Sequence, residues 1–532
     1  MSDSLRSRLV AAILILSAAS LRAQTAPPAD LDSYVANSMK TFDVPGIAVA
    51  IVKDGKVVVT KGYGVRKLGD PTPVDEHTMF GIASITKGFT TAALATLVDA
   101  GKLSWDDPVY QRLPGFVMYD SYASHEMTIR DLLTFSSGLG GSHGDLLFSP
   151  PSTFTREDII YKLRFMKPAS SFRSRFGGGG GNLLYLTAGQ VIPAVTGISW
   201  DDYIRQHIFA PLGMNHSNVD NAEFKSGDNY AFPHERVDGK LQVIHFEKLD
   251  GVGPAGSINS CAADMAKWMQ LQLNRGKFAD RDGRLFSERQ SQEMWSPQKI
   301  LPIGSSLILP IGSSRPPLAG LKPNFLDEGL GWWLHDYHGR KLVEHRGEIG
   351  GFVSRVMLVP EENLGIVALT NAEEVGAHDS IVYHVLDYYL GLPSTDWIAA
   401  FKSVKDAEEK EAAQIMKKAE GERAANSKPS LPPENYAGAY HDAWYGPITI
   451  HSENGGLVIT FDRTPSMIGD LQHWQYDTFK VHWRDRTIED AFVTFSLKPD
   501  ASIESARMAA VSPMADSSFD YRDLLLKPAE KK

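Results

Sequence analysis

The 532-residue sequence predicts a mixed α+β domain on a central antiparallel sheet, followed by a small all-β barrel or sandwich. Three observations carry this. Strand-like runs stand at both ends of the stretch from Asp30 to Gly391, with helical segments between them. A stiff segment, Ser427-Lys428-Pro429-Ser430-Leu431-Pro432-Pro433, then separates two patterns. Beyond it come short β-rich runs parted by turn signals, with no helical periodicity.

Taken in order, residues 1–23 read as an export signal: Arg6 and Arg8, an apolar run from Leu9 to Leu21, and Leu21-Arg22-Ala23 before Gln24. The run is too short to span a bilayer, and no later segment approaches a transmembrane length. Ile47 to Thr60 reads as a hairpin, two apolar runs joined by Lys53-Asp54-Gly55-Lys56. Helical segments fill the middle, among them Thr128–Phe135 and Ala262–Leu273. Lys341–His345, Phe352–Pro360 and Gly365–Asn371 read as successive strands, and Ser380–Leu392 returns to helical periodicity. These place the main domain at 30–395 and a charged helix with its linker at 396–433. The C-terminal domain follows at 434–529, with Pro447–His451 and Gly456–Phe461 parted by the hairpin signal Asn454-Gly455-Gly456.

Composition bounds the function. Hydrophobic residues at 43% and charged residues at 22% exclude wholesale disorder. The net charge is −10, and removing residues 1–23, with Arg6, Arg8 and Arg22 against Asp3, leaves about −12. An acidic chain without a basic run argues against a nucleic-acid partner. Cys261 is the single cysteine, so stability rests on the core rather than on a disulfide framework, and it reads as a small buried hydrophobe.

The most informative motif is Ser84-Ile85-Thr86-Lys87, at the start of a helix of small and apolar residues. The spacing puts a hydroxyl and an amine one turn apart on the same face. A serine hydroxyl is a weak nucleophile until a neighbour takes its proton, and a lysine can do so only where desolvation lowers its pKa. The helix N-terminus disfavours an ammonium there and offers N–H groups to an oxyanion.

With Ser84 and Lys87, several stretches together resemble the serine β-lactamase and penicillin-binding protein superfamily. They are Asp43-Val44-Pro45-Gly46, Leu132–Leu139, Phe209–Met214, Pro254–Ile258 and Leu364–Asn371. The likeness is to the branch of class C β-lactamases, D-alanyl-D-alanine carboxypeptidases, D-aminopeptidases and lactamase-like esterases, some of which carry a small C-terminal β domain. It implies helices on both faces of the sheet, a helical subdomain and acyl-transfer chemistry without metal or organic cofactor. It also implies that His345-Arg346-Gly347 is the third motif, on a strand lining the cleft, with His345 and Gly347 among the substrate-binding and oxyanion residues, and that Asn182 positions substrate.

The family's second motif, Tyr-x-Asn, is broken. Alignment on Tyr185–Gly197 places Asn182 on the asparagine and Gly180 on the tyrosine, within Phe176-Gly177-Gly178-Gly179-Gly180-Gly181-Asn182. Three readings stay open: Lys87 as sole base, a branch without turnover, or a sequence altered to remove the motif. Tyr185 or Tyr161 are alternative hydroxyls. Losing one of two cooperating proton carriers costs about 10²- to 10⁴-fold in rate.

Other candidates read as structural. His335-Asp336-Tyr337-His338 reads as a solvated turn rather than a metal site. Asp106-Asp107 and Glu361-Glu362 read as surface turns. Trp332-Trp333 reads either as a cleft wall or as core. The expected activity is an exported serine hydrolase acting on esters, D-amino-acid peptides or β-lactams. Its rival is a non-turnover binder of cell-wall peptides or β-lactams, favoured by the glycine at position 180.

Overall fold

The protein, described here from a computed structural model over residues 25–174, 181–303 and 315–529, is built around one large sheet. Its strands are β1 (Gly46–Lys53), β2 (Lys56–Lys67), β3 (Asp70–Pro73), β4 (Lys299–Ile300), β5 (Leu326–Glu328), β6 (Trp333–Tyr337), β7 (Arg340–Ile349), β8 (Phe352–Val359) and β9 (Leu364–Thr370). The spatial order is β3-β2-β1-β9-β8-β7-β6-β5-β4, and every pairing is antiparallel. The hairpin β1–β2 turns at Asp54 and Gly55, both at positive φ (53° and 76°), the backbone that matches strand twist in a two-residue turn. The central β1–β9 ladder runs from Ile47 opposite Thr370 to Lys53 opposite Leu364, so strands from the two ends of the domain close the sheet.

Alternation along these strands feeds two cores. Ile47, Val49 and Ile51 share one with Met357, Val359, Ile366 and Ala368, covered by α1 (Leu31–Phe42) and α5 (Val375–Leu390). Ala48, Ala50 and Val52 share the other with Val356, Leu358, Val367 and Leu369. There they meet α2 (Thr86–Asp99), α3 (Gly181–Thr196) and α4 (Ala262–Leu273). β1 is therefore buried along its whole length, each large aliphatic side chain contributing about 1.5–3 kcal/mol. A sheet covered by helices on both faces, with further helices packed at one side, matches the expectation drawn from the family resemblance. Among the described residues no single helix is long and apolar enough to cross a membrane.

The long helix α6 (Trp397–Gly421) lays Trp397, Ile398, Phe401 and Val404 on the first core and turns its charges outward. The C-terminal strands form a closed eight-stranded barrel from Gly438–Asp442 to Leu525–Pro528, sealed by pairing of Tyr440 with Pro528 and His441 with Lys527. Closure decides between barrel and sandwich and leaves no unpaired edge. Phe461, Trp483 and Phe495, at buried alternating positions of its strands, fill its interior. The barrel rests on the helical side of the main domain, where Arg463 donates to the Thr153 carbonyl at 2.8 Å and Tyr445 meets Phe154 edge-on at 5.7 Å.

Candidate active site

Ser84 sits in a single 3₁₀ turn, Ala83–Ile85, that runs straight into α2. Ala83 holds φ at +43°, an uncommon backbone for a residue with a Cβ, and the turn is pinned from outside. Ile82 donates its N–H to the Ile258 carbonyl at 3.0 Å, and Ser354 Oγ donates to the Ile82 carbonyl at 3.0 Å. Between residues 80 and 95 only Ser84 is not fully buried. One hydroxyl is thus left accessible on an otherwise inaccessible segment.

Lys87, one turn later, is 4% exposed, too little for water to solvate an ammonium. Its Nζ meets three neutral oxygens: Ser84 Oγ at 2.7 Å, Asn182 Oδ1 at 2.8 Å and the Ala255 carbonyl at 3.1 Å. Burial pushes its pKa down to about 7, although Asp145 and Glu328 act in the opposite direction. The contacts suit both protonation states. An ammonium donates to all three, whereas the neutral amine donates to the two carbonyl oxygens and turns its lone pair to the Ser84 hydroxyl. The face of Tyr185 lies 5.6 Å from Nζ.

Asn182, in the first turn of α3, is fixed by accepting from Lys87 and donating from Nδ2 to both carboxyl oxygens of Asp145 at 3.3 Å. Asp145 opens a short 3₁₀ turn, and burial pushes its pKa up to about 8. Sequence reasoning missed Asp145, because it lies 37 residues from Asn182 with no spacing rule to connect them. It also missed the Ala255 carbonyl. Pro254–Ile258 was noted only as a family motif, yet its helical turn Gly253–Gly256 delivers that oxygen, and Ile258 ties down the serine turn.

The third predicted segment lies on β7, whose alternation splits it between two environments. Glu344 and Arg346 face the first core, and His345 and Gly347 face the serine turn. Gly347 has a packing reason: a Cβ there would lie 2.0 Å from the Ile82 carbonyl oxygen. His345 stacks on Trp333 with ring centroids 4.5 Å apart, and its Nδ1 is 2.6 Å from the Arg346 carbonyl. That contact assigns the proton to Nδ1 and leaves Nε2 as the acceptor. Burial, then the nearby Lys87, push its pKa down to about 3, so the ring is neutral. β6 pairs with β7 only as far as Trp333 opposite Glu344, so beyond that point the strand's cleft-side edge is unladdered. This is where backbone N–H groups can meet an oxyanion.

The remaining candidates separate clearly. Tyr185 is buried and donates its hydroxyl to the Leu133 carbonyl at 2.9 Å, so it presents its ring and not its oxygen to Lys87. Tyr161 is half exposed on a helix, under the Arg164 guanidinium. Gly180 and Phe176–Gly179 lie outside the described residues. Trp332 packs in the core over Gly88, and Trp333 covers His345. The reading of His335 as a solvated turn residue is corrected: it lies within β6, 1% exposed, with Nε2 2.8 Å from Glu344 Oε1. The turn begins at His338, which is exposed. Burial pushes the Cys261 thiol up to about 12, leaving it unreactive.

A serine hydroxyl, a buried amine and an open strand edge are thus brought together at one place, and comparison with known proteins gives the family. The chain belongs to the Beta-lactamase family, whose model matches residues 31–389; a Domain of unknown function (DUF3471) matches residues 422–528. It is 26% identical over 386 residues to the unguisins hydrolase ungD of Aspergillus violaceofuscus, covering 69% of this chain and 65% of that protein. It is 27% identical over 360 residues to Protein flp of Staphylococcus aureus strain MW2, covering 64% of this chain and 62% of that protein. The octameric penicillin-binding protein homologue from Pyrococcus abyssi shares the fold with a TM-score of 0.57 at 21% identity, covering 94% of this chain and 99% of that one. The family model therefore assigns the family, and the solved structure adds the shared fold.

Proposed function

We propose that the protein is an exported serine hydrolase that works through an acyl-enzyme on esters, D-amino-acid peptides or β-lactams. The observation that carries this is Lys87 Nζ at 2.7 Å from Ser84 Oγ, in an environment that pushes the amine down to about 7. Ser84 Oγ attacks the carbonyl carbon while its proton passes to Lys87, and the oxyanion is held by N–H groups of the serine turn and the β7 edge. As the carbon–leaving-group bond breaks, Lys87 returns the proton to the leaving group. Water, deprotonated in turn by Lys87, then attacks the acyl carbon, and as the bond from that carbon to Ser84 Oγ breaks, Lys87 returns the proton to Oγ. Asn182 orients substrate, and Trp333 with His345 walls the cleft. Histidine in the third motif, where β-lactamases carry lysine, favours esters or peptides. The hydrolytic name of ungD supports bond cleavage, and Arg6, Arg8 and the apolar run behind them support export.

A second reading, a protein that binds or is acylated without turnover, is favoured by Gly180 at the family tyrosine's position. Incubation with a chromogenic short-chain ester and a penicillin-type probe, following product and intact mass together, separates the two. A hydrolase gives multiple turnovers that fall to background in Ser84→Ala and drop about 10²- to 10⁴-fold in Lys87→Met. A stable adduct on Ser84 with no released product replaces the first reading with the second. An unmodified, inactive wild type overturns covalent chemistry altogether.

A further inference from the structure

The barrel reaches the main domain close to the candidate active site, on the loop that carries Asp145. Gly144 donates its N–H to Asp520 Oδ2 at 2.9 Å, Ser142 Oγ is 2.8 Å from Ser517 Oγ, and Arg522 donates to the Gly141 carbonyl at 2.8 Å. Within this contact His143 from the main domain faces Asp520 and Asp523 from the barrel. One ligand-type atom from each lies within 4.8 Å of the other two, and His143 Nδ1 is 3.5 Å from Asp523 Oδ2. Two ligands of a tetrahedral ion with bonds near 2.1 Å stand about 3.4 Å apart, so this pair already has the required separation.

Two features set the cluster apart from a surface group of acids. Asp520 is 1% exposed, and its Oδ1 has no hydrogen-bond partner; Arg522 Nε stands 3.6 Å away, beyond bonding distance. His143 is 6% exposed, covered by Trp444 of the barrel, with ring centroids 5.9 Å apart. Ligand-type atoms of two carboxylates and one imidazole thus converge from the two domains, with the largely exposed Arg522 guanidinium 3.6 Å from Asp520 Oδ1. One nitrogen and two carboxylate oxygens suit a borderline divalent transition metal such as Zn²⁺, with water completing the shell.

We propose that His143, Asp520 and Asp523 form a divalent-metal site of the Zn²⁺ class that staples the C-terminal barrel to the loop bearing Asp145. The ion is structural: it bonds across two domains, two residues from the carboxyl that holds Asn182 against Lys87. Because it binds the docked arrangement, it stabilises the contact by mass action.

The test uses the full chain stripped with chelator and then titrated with Co²⁺, following visible ligand-field absorption and the thermal midpoint. The expected result is saturation at about one equivalent per chain, with a rise in Tm, and displacement of the colour by Zn²⁺. Asp523→Asn, at a one-third exposed side chain that tolerates exchange, weakens binding by about 10²-fold or more and abolishes the Tm rise, as does His143→Gln. His451→Gln, at an exposed histidine of the barrel, leaves both unchanged. Absence of saturable Co²⁺ binding to the wild type overturns the site, and so does binding that Asp523→Asn and His143→Gln leave intact.

Discussion

Two fully buried cations lie on opposite faces of the same sheet, and they are held in opposite ways. Arg355, on β8, is surrounded by charge. It donates to Glu344 Oε2 at 2.7 Å from Nε and to Asp379 Oδ1 at 2.6 Å from Nη1, with the Tyr383 hydroxyl at 3.1 Å. Arg346 completes the cluster with Asp379 at 3.1 Å. Burial alone raises Glu344, but Arg355 and His335 outweigh it and bring the carboxyl down to about 2. Lys87, in the cleft, meets only uncharged oxygens and falls to about 7. Burial is the same in both places, and the partners decide whether the cation is permanent or can give up its proton. A guanidinium suits the first role, and an amine near its own titration point suits the second.

The largest effect should come from breaking the permanent cluster. Arg355→Met leaves Glu344 and Asp379 buried without their main counter-ion, which costs about 3–5 kcal/mol, a large share of the total stability of a typical domain. Urea unfolding followed by tryptophan fluorescence measures it. A loss below about 1 kcal/mol would mean that the cluster is hydrated and that the two cations are not in comparable surroundings.

A middle-sized effect separates the two cations by pH. The folded-state pKa of Lys87 is depressed below its ordinary 10.5, so between pH 7 and that value the unfolded chain holds a proton on this residue that the folded chain has released. Stability contributed by this group is therefore lowest below pH 7 and rises with pH above it, by roughly 1.4 kcal/mol per pH unit. Lys87→Met removes the group, so the stability difference, wild type minus variant, should climb from pH 7 to pH 9. A flat or falling difference would show an amine that stays charged in the cleft and cannot act as a base. Arg355 should impose no such slope in this range, since its pKa is raised well above its ordinary value.

The sheet and the two cores were legible because their signals are local. Alternation in Ile47–Val52 and the Asp54-Gly55 turn are read from neighbouring residues, and the strands at both ends of the domain leave few ways to close one sheet. Ser84 and Lys87 were legible for the same reason, being one helical turn apart. Placing Asn182 and His345 needed the family's motif order. The rest of the cleft depends on contacts with no fixed spacing: Asp145 to Asn182, Ala255 to Lys87, and the Tyr185 hydroxyl to Leu133. His335 was misread because its polar neighbours suggest a turn, whereas a buried partner, Glu344, compensates its burial within β6.

The smallest effect tests how far charge reaches into the cleft. Asp145 is pushed up to about 8, so near neutral pH it carries its proton for much of the time and resembles an amide. Asp145→Asn keeps an acceptor for Asn182 Nδ2 and removes only the charge that develops at higher pH. That charge favours an ammonium on Lys87 and delays the last part of its deprotonation. Under the proposed mechanism, the variant's pH–rate profile for ester cleavage should match the wild type at low pH and reach its plateau at a lower pH, by less than about one unit. Movement of the plateau to higher pH would mean that Asp145 acts through the position of Asn182 rather than through its field on Lys87. The amine would then owe its low pKa to burial and neutral partners alone, which sharpens its contrast with Arg355.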